Sequence, residues 1–308
     1  MDVAETITVC RVVPDPAFDP LWDAIVVPPI VKARLLRSAL LSLALRPKLS
    51  FEKTALHGLA VLYGPPGTGK TTLARGLASQ LAPLAGSKRA RFIEVNPHGL
   101  MSAEHGQSQR KVAELLGDHI PRLADDGLPT VVLLDEVESM AVARSEASLS
   151  ANPADVHRAT DAVLTALDAN AAGAPNLFIV ATSNFTQALD AAFLSRADVA
   201  IEVPAPDKNG ALAILQQTLT GLSEAFPPLA TLAKDAGLKR IATKLAGTDG
   251  RRIRKAVMEA MLNRLETVID PGELTLKDLT AGATAAIATK SASTRLSDHA
   301  EGTDDAAA

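Results

Sequence analysis

The stretch from Leu59 to Leu73, LAVLYGPPGTGKTTL, leaves this chain few folds to choose from. Five mostly apolar residues, Leu59 to Tyr63, predict a strand that runs directly into Gly64. From there the spacing Gly64, four residues, Gly69, Lys70, Thr71 fills every fixed position of a P-loop. Glycines let a backbone turn tightly enough for successive N–H groups to face a polyphosphate, and a helix beginning near Lys70 adds its positive end. The candidate nucleotide cradle is therefore Gly64, Pro65, Pro66, Gly67, Thr68, Gly69, Lys70, Thr71 and Thr72. Lys70 is expected to reach the β- and γ-phosphates of ATP. The Thr71 hydroxyl is expected to ligate Mg2+, an ion that keeps several waters and takes few protein oxygens.

A second signal lies at Val131 to Leu134, a wholly apolar run that reads as a buried parallel strand and ends in Asp135 and Glu136. If its tip stands next to the P-loop, Asp135 joins the magnesium shell and Glu136 faces the γ-phosphate as the base that polarises a water. A third apolar run, Leu177 to Ala181, ends in Thr182, Ser183 and Asn184. Those polar residues line the same crevice, where open α/β sheets bind their ligands, and Asn184 is the candidate to hold the attacking water. With Arg91 to Val95 and Val199 to Val203, five strands alternate with helices, which predicts a parallel α/β domain.

The expected organisation is an extended arm over residues 1–20, where Pro14, Pro16 and Pro20 cluster, then an α/β domain over 21–206. A helix over Ile30 to Leu45 precedes the first strand, and Trp22 reads as core. Beyond Pro206 only helical spacing remains, as in Leu212, Leu215, Leu219 and Leu238, Ile241, Leu245, so a small all-helical domain is expected over 207–287. Its long helix after Gly250 carries Arg251, Arg252 and Arg254, which fit a solvated face, a nucleic-acid patch or a nucleotide sensor. Residues 288–308 are rich in Ser, Thr, Asp and Ala, and disorder is expected there.

Composition narrows the function. A net charge of −4 and 3% aromatic residues argue against a dedicated nucleic-acid surface. The single cysteine, Cys10, has no internal disulfide partner, and a reducing cytoplasm fits. The N-terminus lacks a signal-peptide pattern, and the longest apolar helical run, Ser38 to Leu45, is too short to span a bilayer, so no membrane partner is expected.

Taken together, GPPGTGKT (64–71), LLDEVES (133–139), ATSN (181–184), the arginine of FLSRAD (193–198) and GRRIRK (250–255) resemble an AAA+ ATPase. DPLWDAIV, DEVESMAVAR, ADVHRATDAVLTALD and RADV are most similar to the pachytene-checkpoint family of HORMA-domain remodellers. The resemblance implies a homo-hexamer with ATP between subunits, Arg196 acting in trans as an arginine finger, and Arg251 as a second sensor on the helical lid. Only about 20 residues precede Leu21, where eukaryotic members carry an adaptor-binding domain, so the chain resembles the short bacterial members. Those accompany cyclic-oligonucleotide synthases and HORMA proteins in antiphage (CBASS) defence, which implies that this chain strips a HORMA activator from a synthase. A substrate-gripping pore loop is expected at Met101, Glu104 and His105, although the family carries an aromatic pair where this chain has Glu104 and His105. The rival readings are a DNA-loading or transposition ATPase using Lys239, Arg240 and the 251–255 cluster, an unfoldase serving a separate peptidase, and a non-hydrolysing scaffold. No His-Glu-x-x-His is present for a fused metalloprotease.

Overall fold

A computed structural model describes residues 6–96, 99–100, 107–141, 153–184 and 189–301. Among these, six strands form one sheet: β1 (Ile7–Val13), β2 (Leu59–Tyr63), β3 (Ala90–Val95), β4 (Thr130–Leu134), β5 (Leu177–Ser183) and β6 (Val199–Glu202). The spatial order is β1-β3-β4-β5-β2-β6. The five parallel strands read from the sequence are all present. Residues 1–20 are not simply an extended arm, because β1 pairs antiparallel with β3, Cys10 opposite Ile93 and Val13 opposite Ala90. An edge strand buries little of itself, so ITVCRVV carries Cys10 and Arg11 at half-exposed or exposed positions and lacks the apolar signature of the central strands.

Helices cover both faces of the sheet, which explains why β2, β4 and β5 are apolar at nearly every position. Alternate residues of one strand enter different cores. Leu59 and Val61 pack with Val112, Leu115, Val163 and Phe193, whereas Ala60 and Leu62 pack with Leu35, Leu73 and Leu77. Each fully buried side chain of this size contributes roughly 2 kcal/mol through removal of its surface from water. Trp22 belongs to the second core, 7% exposed, with its backbone so close to Gly76 that a Cβ there would stand 2.7 Å from Trp22 N. The helical stretch from Gln107 to Leu123 passes through one π-helical turn, Leu115–His119. Pro121 follows that turn and has no N–H to continue the regular ladder.

Arg46, at the end of helix Pro29–Leu45, pins several of these elements together. Its buried guanidinium donates to Leu177 O, to Asn170 O at 2.7 Å and to Ala174 O at 3.2 Å, which caps the negative end of helix Pro153–Gly173. The guanidinium also fills the space beside Gly58, which has φ 74°. Arg46→Ala should cost about 3 kcal/mol, because it strands buried carbonyls and opens a cavity; urea denaturation reads this directly, and a loss below about 1 kcal/mol would overturn the pinning role.

The chain divides into two compact units at Val203/Pro204, three residues before the expected boundary. The second unit is helical, with helices Lys208–Leu222, Leu238–Leu245, Gly250–Met261 and Leu276–Glu301 as its longer members. Helices Gly250–Met261 and Leu276–Glu301 approach closely at Gly282, where a Cβ would lie 2.4 Å from Ala256 O. The last helix runs on to Glu301, past Ala288 where disorder is expected. Between Gly282 and Gly302 the sequence has neither Gly nor Pro and is rich in Ala, so local propensity permits the helix despite few apolar anchors.

Candidate functional site

The glycines of the phosphate loop take the backbone that only glycine adopts cheaply: φ is 143° at Gly64, 77° at Gly67 and 97° at Gly69. There is no room for a side chain either, since a Cβ on Gly64 would stand 2.4 Å from Val203 O and one on Gly69 2.1 Å from Ile25 Cδ1. Helix Lys70–Leu81 follows with no side chain capping its N-terminus, so its first N–H groups face the loop. Thr68 closes the loop from within, its hydroxyl donating to Pro65 O at 3.0 Å.

Lys70 is buried, and its ammonium donates to Gly64 O at 2.7 Å, Pro65 O at 3.0 Å and Asn184 Oδ1 at 2.9 Å. Burial lowers its pKa from the usual lysine value, opposed by the nearby carboxylates of Glu138, Asp135 and Glu136. All three acceptors are neutral. A desolvated cation held by neutral groups at the mouth of a glycine cradle fits a polyphosphate, whose charge would relieve that burial penalty.

The tip of β4 stands beside the P-loop, as expected, although β5 lies between β4 and β2 in the sheet. Asp135 nevertheless reaches the loop, and β5 supplies the link. The Thr71 hydroxyl donates to Asp135 Oδ1 at 2.8 Å, and the Thr182 hydroxyl donates to the same oxygen. Thr182 Oγ1 also accepts the backbone N–H of Glu136 at 3.0 Å, so one threonine holds the Asp135 carboxylate and the Glu136 backbone. Glu136 sits at φ 53°, left-handed backbone that costs a non-glycine residue about 1 kcal/mol. Glu138 Oε1 accepts the Asn184 backbone N–H at 3.2 Å, which ties the tips of β4 and β5 together.

Lys70, Thr71, Asp135 and Asn184 are thus brought together as the sequence predicts, with Glu136 on the same strand tip as Asp135. Arg196 is not joined to them by any hydrogen bond or ion pair, and forms a bidentate pair with Asp168. Arg251 is exposed in the first turn of helix Gly250–Met261, in the second unit, where Asp249 accepts the Arg252 N–H as the N-cap. Met101, Glu104 and His105 lie outside the described residues. The sequence names Thr182 only as one of three polar residues lining the crevice and does not single out Glu138 or Asp168, although Glu138 has a signal as the last acid of DEVE.

Comparison with known proteins agrees with this geometry. The model of the ATPase family associated with various cellular activities (AAA) matches residues 60–205. CD-NTase-associated protein 6 of Pseudomonas aeruginosa is 47% identical over 266 residues, covering 86% of this chain and 87% of that protein. The pachytene checkpoint protein 2 homolog of Arabidopsis thaliana is 36% identical over 214 residues, covering 68% of this chain and 46% of that protein, so the chain spans about half the length of such relatives. Among solved structures, C. elegans PCH-2 superposes with a TM-score of 0.72 at 24% identity, covering 93% of this chain and 76% of that one. The E. coli MS115-1 HORMA:CdnC:Trip13 complex gives a TM-score of 0.74 at 16% identity, covering 92% and 96%. At those identities the likeness is one of fold. A nucleotide cradle built in this way, on this sheet, in a sequence this close to its relatives, places the chain in the AAA ATPase family, in the group that holds CD-NTase-associated protein 6 and the pachytene checkpoint protein 2 homologues.

Proposed function

We propose that this ATPase works as a homo-hexamer that pulls a HORMA-domain protein away from a cyclic-oligonucleotide synthase, and so damps antiphage (CBASS) signalling. The observation that carries the reading is the 47% identity spanning 87% of CD-NTase-associated protein 6, in a chain that has Lys70, Thr71, Asp135, Glu136 and Arg196 at its candidate site positions. Mg2+ would neutralise charge building up between the β- and γ-phosphates. Thr71 and Asp135 would hold it: their oxygens stand 2.8 Å apart, near the roughly 3 Å that separates neighbouring ligands in an octahedron of ~2.1 Å arms. Lys70 exchanges its carbonyl partners for phosphate oxygens. Asn184 orients the attacking water, and Glu136 takes its proton.

Arg196, engaged with Asp168 and not with the groups around Lys70, suits an arginine that serves a neighbouring copy across a subunit boundary. Arg251 would sense nucleotide from the helical unit. Met101, Glu104 and His105 would grip an extended substrate segment, Glu104 favouring a basic one. Motion between nucleotide states would then become work on the partner.

The test is a Glu136→Gln trap. Turnover should fall by about 10²-fold while ATP still binds, because an amide accepts no proton. Incubated with ATP and a purified HORMA–synthase complex, the variant should retain the HORMA protein on a size-exclusion column, and a photo-cross-linker at position 101 should label it. Wild-type turnover would remove Glu136 as the base; no HORMA retention beside slow turnover would remove the substrate and leave the ATPase.

A further inference from the structure

We propose that Asp168 is a positioning residue for the reaction, fixing the Arg196 guanidinium in the orientation that it presents to a neighbouring subunit. The inference rests on the reading of Arg196 as a finger acting in trans. Arg196 stands at the C-terminal cap of the short helix Ala191–Ser195, with its side chain 22% exposed. Asp168 comes from another element, helix Pro153–Gly173. Its two carboxylate oxygens take one edge of the fork, Oδ1 from Nε and Oδ2 from Nη2, both at 2.7 Å. A third bond, Nη1 to Ala192 O at 2.9 Å, stops the plane from rotating about that edge.

The count of donors then favours presentation over sequestration. A guanidinium has five N–H groups, and these three bonds use three of them, which leaves one on each terminal nitrogen. Two N–H groups on the outer nitrogens can still meet two oxygens of a phosphoryl group while Asp168 keeps hold of the inner edge. Charge agrees with geometry: the paired hydrogen bonds hold the Asp168 carboxyl below the usual carboxylate range and raise the Arg196 guanidinium.

Asp168 is itself held from a second side. His57 Nε2 lies 3.3 Å from Asp168 Oδ1, and the His57 ring is braced edge-on by Phe51. The backbone N–H of His57 donates to Asp198 Oδ1 at 2.8 Å, and that of Gly58 to Asp198 Oδ2 at 2.9 Å. The arginine is therefore referenced, through Asp168 and His57, to the segment that leads into β2 and the P-loop of its own subunit. A lone arginine on a five-residue helix would sample many rotamers, and the fixed fork spares that ordering cost in the transition state.

The experiment is a double-mutant cycle on assembled ATPase, with Arg196→Ala, Asp168→Ala, their combination, and Asp168→Glu. Asp168→Ala should lower kcat about 10-fold with KM for ATP unchanged, Asp168→Glu should recover part of that loss, and Asp168→Ala should have no further effect once Arg196 is alanine. A merely structural role would predict an equal loss in both backgrounds, and that result overturns the inference. Faster turnover in Asp168→Ala also overturns it, since it would mean that the carboxylate restrains the arginine. If Arg196→Ala is slow but Asp168→Ala matches wild type, the positioning role alone falls; if Arg196→Ala itself matches wild type, the finger reading falls and takes this inference with it.

Discussion

A Lys70→Ala chain should fold normally and lose nucleotide binding by about 10³-fold, the equivalent of roughly 4 kcal/mol from two charge-assisted hydrogen bonds. The size of the effect follows from what surrounds the ammonium. Glu138, Asp135 and Glu136 all act on Lys70, so its buried ammonium faces three carboxylates at the mouth of the cradle. With Lys70 removed, a polyphosphate would meet these three carboxylates with no buried ammonium to offset them. The fold should survive because Lys70 bonds two loop carbonyls and one side-chain amide, and Pro65 O keeps its bond from Thr68. Titration with a fluorescent ATP analogue, beside a thermal melt, measures both halves of the statement. Unchanged affinity would sink the assignment of the site.

Arg196→Ala should show the opposite split: ATP affinity within a few-fold of wild type, and turnover lower by as much as ~10³, the range in which arginine fingers act. Nothing in the subunit's own cradle bonds to Arg196, whereas Lys70 is at its centre. Mixing the two inactive variants therefore has a distinctive outcome. Interfaces that join a Lys70-containing cradle from one copy to an Arg196 from the next should regain activity, and the steady-state rate of mixed rings should rise above either parent. Co-assembly demonstrated by affinity capture without any recovery would count against action in trans.

Much of the site was legible because its residues are local in sequence. Gly64 to Thr71 is a single turn whose chemistry is written in consecutive positions, and the acids of β4 follow an apolar run that only a buried strand explains. What escaped was long-range. The sequence does not say that β5 separates β4 from β2, since all three strands read alike, and so Thr182 reads only as a crevice residue although it holds both Asp135 and Glu136. The partner of Arg196 was hidden for the same reason: Asp168 lies on a helix whose exposed face carries ordinary charges. β1 escaped because an antiparallel edge strand with one buried face lacks the apolar run of its neighbours, and the prolines after it suggested an arm. Glu94, buried on β3, is tolerated there only because Arg75 on the P-loop helix meets both its oxygens at 2.7 Å.

The order of the strands also sets a timetable for synthesis. β2 carries the P-loop, yet its two neighbours are β5 and β6, which leave the ribosome more than a hundred residues later by the pairing of Leu59 with Ile179 and Ala60 with Val199. β1 must likewise wait for β3. A nascent chain therefore emerges with this apolar strand unpaired until almost the whole first unit is out, and such non-local pairing is slow and exposed to aggregation. The cradle closes last, when Val203 comes to lie against Gly64. Cellular ATP, binding only that finished form, would then act as the latch that draws newly made chains out of the unfolded pool.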